Sequence, residues 1–184
     1  MRERPILMNG DMVRAILAGT KTQTRRPVKG IALEWLGEGM FLPEYVADEG
    51  NGLSPFGYPG DRLWVRETWA SHPCGGKQIH ARGDGHPWGS PIYRASFGAM
   101  LNPLCEGFTP WRPSIHMPRW ACRLVLEIVS VRVERVFDIT EEDALAEGFK
   151  TRAGFLAVFG QIYGLKGRTN PWVWVVEFKR TEVK

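Results

Sequence analysis

Between positions 19 and 26 the chain reads Gly19-Thr20-Lys21-Thr22-Gln23-Thr24-Arg25-Arg26, placing an amine, a hydroxyl and a guanidinium in one short segment. A helical turn there would bring the Lys21 amine and the Thr24 hydroxyl to one side. Lys21, Arg25, Arg26 and Lys29 meet no acidic residue between positions 20 and 33. The segment therefore predicts either a local positive field facing an anion or a solvated basic turn. Glu67 is the second chemical signal. Leu63, Val65, Glu67 and Trp69 alternate with Arg62, Trp64, Arg66 and Thr68, so the carboxylate shares a strand's apolar face. Such a conflict marks a site or the rim of a core.

The elements that must hold these residues follow from the hydrophobic pattern. Asp11 is expected to cap a helix carrying Met12, Val13, Ile16 and Leu17, with Gly19 ending it and Lys21 just beyond. Residues 30–61, rich in Gly and Pro with scattered Trp35, Phe41, Tyr45 and Phe56, predict a long loop packed by its own rings. Pro59-Gly60-Asp61 turns into the Arg62–Ala70 strand. Within a loop-rich insertion at about 71–118, only Pro91-Ile92-Tyr93-Arg94 reads as a strand. Leu124, Leu126 and Ile128 share one parity and Val131 and Val133 the other, which predicts a bulge near Val129-Ser130. Thr140-Glu141-Glu142-Asp143 opens a short helix ending at Gly148, and Phe155, Val158, Phe159 and Ile162 predict another. Trp172–Phe178 reads as a strand buried on both faces.

The whole is expected to be one α+β domain over 1–184, a small mixed β-barrel with two or three short flanking helices and long loops. Its 184 residues, 43% hydrophobic and 24% charged, suit a single folded core. The formal charge of +4 is too mild to diagnose nucleic-acid binding by itself. No apolar run is long enough to cross a bilayer, and Cys74, Cys105 and Cys122 form no CxxC pair, so a reducing cytoplasm is the expected setting. His72, Cys74, His80 and His86 match no zinc spacing, and no metal or other cofactor is expected. No dinucleotide or phosphate-loop glycine motif occurs. Ser114 and His116 lack the orienting acid of a hydrolase triad. Of the eight Trp residues, Trp120 beside Arg119 is the best candidate for stacking on a base, and the others are expected to fill core.

Gly19-x-Lys21-x-x-Thr24-x-Arg26 after an N-terminal helix resembles the signature of the ASCH domain, in the PUA-like superfamily of RNA-associated β-barrels. Pro59-Gly60-Asp61-Arg62-Leu63-Trp64-Val65-Arg66-Glu67 is similar to the turn and strand that follow it there. Pro113-Ser114-Ile115-His116-Met117-Pro118-Arg119-Trp120-Ala121 resembles a segment of longer, phage-associated members. Similarity to small members that hydrolyse N4-acetylcytidine implies a catalytic Lys21, Thr24 and Glu67, with Gly19, Arg25, Arg26, Arg66, Arg119 and Trp120 facing substrate or nucleic acid. In that reading Thr24 attacks an acyl carbonyl. Either Lys21, its pKa lowered by burial, or Glu67 takes the proton, and a donor steadies the oxyanion. The 71–118 segment has no counterpart in those compact hydrolases. Hydrolysis of such an N-acylated base is the leading expectation; the resemblance also implies, as the alternative, a non-catalytic module for RNA or a modified base, and more remotely a metal-independent ribonuclease. The implied partner is a nucleoside or RNA, not a membrane, and no protein partner is indicated.

Overall fold

The computed structural model describes residues 1–37, 39–72, 90–97, 110–165 and 169–181. In chain order the elements are β1 (Glu3–Leu7), α1 (Gly10–Leu17), β2 (Gln23–Pro27), α2 (Ile31–Gly37), α3 (Pro43–Ala47), β3 (Arg62–Arg66) and β4 (Trp69–His72). There follow β5 (Ser90–Tyr93), α4 (Arg94–Phe97), β6 (Val125–Arg135), α5 (Glu141–Ala146), α6 (Arg152–Tyr163) and β7 (Trp172–Thr181). The architecture is α+β. A five-stranded mixed sheet runs β1-β3-β6-β7-β2, and β4 pairs with β5 in a separate two-stranded sheet. β1 is parallel to β3, and the other pairings are antiparallel.

The register between β6 and β7 shifts between Ile128 and Ser130, where the change of hydrophobic parity predicted a bulge. The extra residue lets Leu124, Leu126 and Ile128 join the same core as Val131, whose parity is opposite. Among the described residues the backbone ladder does not close into a barrel. The two edge strands are linked by a side chain instead: Arg26 on β2 donates from Nη2 to Leu7 O at the end of β1, at 3.0 Å.

Apolar clusters pack on both faces of the sheet. Under α1, Val13 and Ile16 pack with Ile6, Leu63, Leu126 and Phe178. Burying each such aliphatic or Phe side chain stabilises by about 1.5–3 kcal/mol. On the opposite face α5 and α6 cover Val173 and Val175 with Ile139, Phe155 and Phe159. Trp174, on the parity between those valines, packs with Val28, Leu36 and Val46. β7 is therefore buried on both faces, as its continuous apolar run predicts.

Four local expectations are corrected. Asn9, not Asp11, caps α1: its side chain accepts from Met12 N at 2.9 Å, because the helix begins at Gly10, two residues earlier than an Asp11 cap would place it. Residues 30–61 are not one loop but contain α2 and α3, and Phe41 between them stacks on Tyr45 of α3 and lies tilted against Trp35 of α2. Six helices, rather than two or three, occur among the described residues. The segment after Gly19 is an extended strand rather than a helical turn, because β2 is drawn into the ladder with β7. Cys74, His80, His86, Cys105 and much of the 71–118 insertion lie outside the described residues.

Candidate functional site

Gly19 sits past the end of α1 at φ +75, a left-handed conformation that side-chained residues seldom adopt. It releases the chain to Lys21, which forms an isolated bridge with Glu147 at the end of α5. The Lys21 side chain has no exposed surface, and its ammonium donates to Gln23 O at 2.8 Å, to Glu147 O at 2.9 Å and to the Glu147 carboxylate. Burial pulls its pKa below the usual lysine range, against the opposing pull of Glu147.

Arg25 belongs to the same buried network. Its guanidinium lies 2.9 Å from Asp143 and 3.6 Å from Glu147, pairs with Glu134, and donates to Gln23. Arg132 extends the network to Glu134, Asp143 and Glu177. Burial pushes the Asp143 carboxyl up. The Thr140 backbone N–H, the Gln23 amide and the guanidiniums of Arg25 and Arg132 together bring it below its ordinary value. The positive field expected of this segment is thus largely neutralised, and only Arg26 and Lys29 retain exposure.

Thr24 pairs with Val176 and faces the opposite neighbourhood, where its hydroxyl accepts from Arg26 Nη1 at 2.7 Å. Glu67 lies in the break between β3 and β4, is 1% exposed, and accepts from Arg123 Nε and Nη2 at 2.8 and 2.9 Å. Arg123 is held in turn by Ser96 Oγ at 2.8 Å and by the Tyr93 ring, 4.1 Å from its Cζ. Among the described residues no hydrogen bond joins any two of Lys21, Thr24 and Glu67. Within β2, successive residues face opposite sides of the sheet, which puts Thr24 and Arg26 on one side and Gln23 and Arg25 with the Lys21 network on the other.

Glu67 instead lines a cavity of about 290 Å³, together with Asn9, Asp11, Arg14, Thr68 and Arg94 among others. Arg14 donates to Ala95 O at 3.3 Å and pairs with Asp11, so α1 and α4 meet across the cavity. Arg94 lies over the Trp111 ring at 5.8 Å. The lining offers the fixed Glu67 carboxylate and the Asp11 carboxylate together with the cationic groups of Arg14 and Arg94. It suits a small polar ligand with N–H donors.

The remaining candidates lie elsewhere. Arg66 reaches Ile115 O and covers the Trp64 ring at 5.3 Å. Arg119 pairs with Glu3 at 2.9 Å, and Trp120 is half-buried edge-on to Trp69 with centroids 5.6 Å apart. Trp120 is therefore part of the packing that supports β4. Ser114 and His116 occupy a single 3-10 turn. Among the described residues no group of three His, Cys, Asp or Glu side chains could hold a metal ion, and no helix is long and apolar enough to cross a membrane.

Arg123, Arg94 and Glu147 were not marked by sequence. Each lies far along the chain from the residue it serves, and only the pairing of β3 with β6 brings Arg123 to Glu67. The chain matches no protein-family model, no curated protein and no solved structure.

Proposed function

We propose that this chain is a nucleoside- or RNA-binding protein of the ASCH, PUA-like kind, and that a base enters the cavity lined by Glu67. The observation that carries this reading is the clamped carboxylate. Glu67 is buried just past the end of β3, fixed by two Arg123 bonds, and bounds an open polar cavity. A carboxylate held by one guanidinium fork keeps lone pairs for a ligand's amino or imino N–H. A buried site built for such bonds discriminates strongly against ligands that cannot make them.

Titration calorimetry with cytidine and a short single-stranded RNA tests this. Glu67→Gln should weaken binding at least tenfold with the circular dichroism spectrum unchanged. Equal affinity of the two proteins would overturn the reading. Hydrolysis of an N4-acetylcytidine-like base by Lys21, Thr24 and Glu67 is the further activity that the ASCH resemblance implies. Two observations favour it: Glu67 borders a cavity, and burial lowers the Lys21 pKa. Against it, the Lys21 ammonium is already bonded to three acceptors. Acetate released from N4-acetylcytidine by the native chain, and abolished in a folded Thr24→Ala variant, would establish catalysis. Shortened RNA without added metal would point to a nuclease.

A further inference from the structure

A second cavity, of about 350 Å³, opens beside β2 and is lined by Arg26, Lys29, Pro55, Phe56, Tyr163 and Trp174 among others, with no acidic residue in its wall. The two adjacent arginines of β2 differ sharply here. Arg25 lies against the carboxylates of Glu134, Asp143 and Glu147. Arg26, half-buried, meets only neutral acceptors: Thr24 Oγ1 at 2.7 Å, Arg25 O at 3.0 Å, Leu7 O at 3.0 Å and Met8 Sδ at 3.4 Å. Among the described residues neither Arg26 nor Lys29 has a carboxylate within ion-pair distance. A half-buried guanidinium without a counter-ion favours any anion that reaches it, because low local dielectric strengthens the attraction.

The same wall carries three aromatic rings. Trp174 is 1% exposed, pinned by its pairing with Arg26, and Phe56 and Tyr163 are partly buried beside it. Arg4 fastens the loop that carries Phe56 by donating to Ser54 O and Pro55 O at 3.1 and 2.9 Å. Rings beside unneutralised cations suit a planar body bearing a negative group. We propose that this cavity binds the phosphate ester of a planar ring, with the ring against Phe56 and Tyr163 and the phosphate between Arg26 and Lys29. The nucleotide identity of that ester rests on the proposed function, and the cavity's preference for an aromatic phosphate does not. A free nucleoside monophosphate and a nucleotide of RNA present the same chemistry.

Calorimetry with phenyl phosphate, cytidine 5′-monophosphate and a short 5′-phosphorylated RNA tests this, with cytidine as the ligand lacking phosphate. Phenyl phosphate should bind, more weakly as salt rises, and Lys29→Glu, on an exposed side chain, should reduce its affinity at least tenfold. Arg26→Gln should do the same, but Arg26 also links the sheet edges, so Lys29→Glu carries the decision if that variant unfolds. Phenyl phosphate that fails to bind at millimolar concentration, or binds Lys29→Glu equally well, overturns the proposal whatever cytidine does. Phenyl phosphate binding without cytidine binding supports this cavity while removing the nucleoside reading of the Glu67 cavity. A gain for the monophosphate over cytidine assigns a free nucleotide, and a gain confined to the RNA assigns a strand end.

Discussion

Two neighbouring residues, Arg25 and Arg26, carry the same charge and are used in opposite ways. Arg25 is neutralised on every side, while Arg26 keeps its charge uncompensated beside a cavity. The basic segment was legible in sequence, and this division was not, because the compensating acids come from β6 and α5 more than a hundred residues later. Lys21 shows the same dependence, since its partner Glu147 is distant in sequence. Removing one member of a buried ion pair strands the other charge. Lys21→Met should therefore destabilise by about 3–5 kcal/mol in urea melts, and Lys21→Met combined with Glu147→Leu should recover most of that loss. At Glu67, Arg123→Lys replaces a fork by a point charge, and cytidine affinity should fall about tenfold while the chain remains folded.

The elements were more readable than the contacts between them. The bulge in β6, the capped start of α5, the helix around Phe155 and the buried β7 all follow from periodicity and capping residues. The α1 cap was misplaced by two residues because Asn9 and Asp11 are both good caps, and only the hydrogen bond to Met12 N separates them. Asn9→Ala should cost about 1 kcal/mol by thermal melting, and Asp11→Ala distinctly less. Gly148, after α5, sits at φ +85, and a Cβ there would lie 3.1 Å from Ala15 Cβ and 3.4 Å from Lys21 Cβ. Gly148→Ala thus combines backbone strain with pressure on the Lys21 pocket, and its loss in a urea melt should exceed about 1 kcal/mol.

At the scale of the molecule, the polar network on the α5 side couples folding to pH. The folded-state pKa values of Asp143 and Glu177 are depressed, so their contribution is fully present above the unfolded carboxylate values near 4 and is lost as pH falls through the folded ones. Lys21 has the opposite chemistry but also a lowered value. The unfolded chain therefore binds the extra proton between the folded and unfolded values, and this group's contribution to stability rises with pH across that window. Urea midpoints should fall steeply below about pH 4, and Glu177→Gln should flatten that slope.

By itself the sequence determined an α+β chain, the strands β3, β5, β6 and β7, the helices α1, α5 and α6, and the chemically notable residues Lys21, Thr24, Arg26 and Glu67. Those depend on local periodicity and residue type, which adjacent positions carry. Only the tertiary structure decided that these residues serve three neighbourhoods: Lys21 in a buried ion network, Thr24 and Arg26 across the strand, and Glu67 under Arg123. The physical reason is that strand parity and long-range pairing, rather than spacing along the chain, determine which side chains meet.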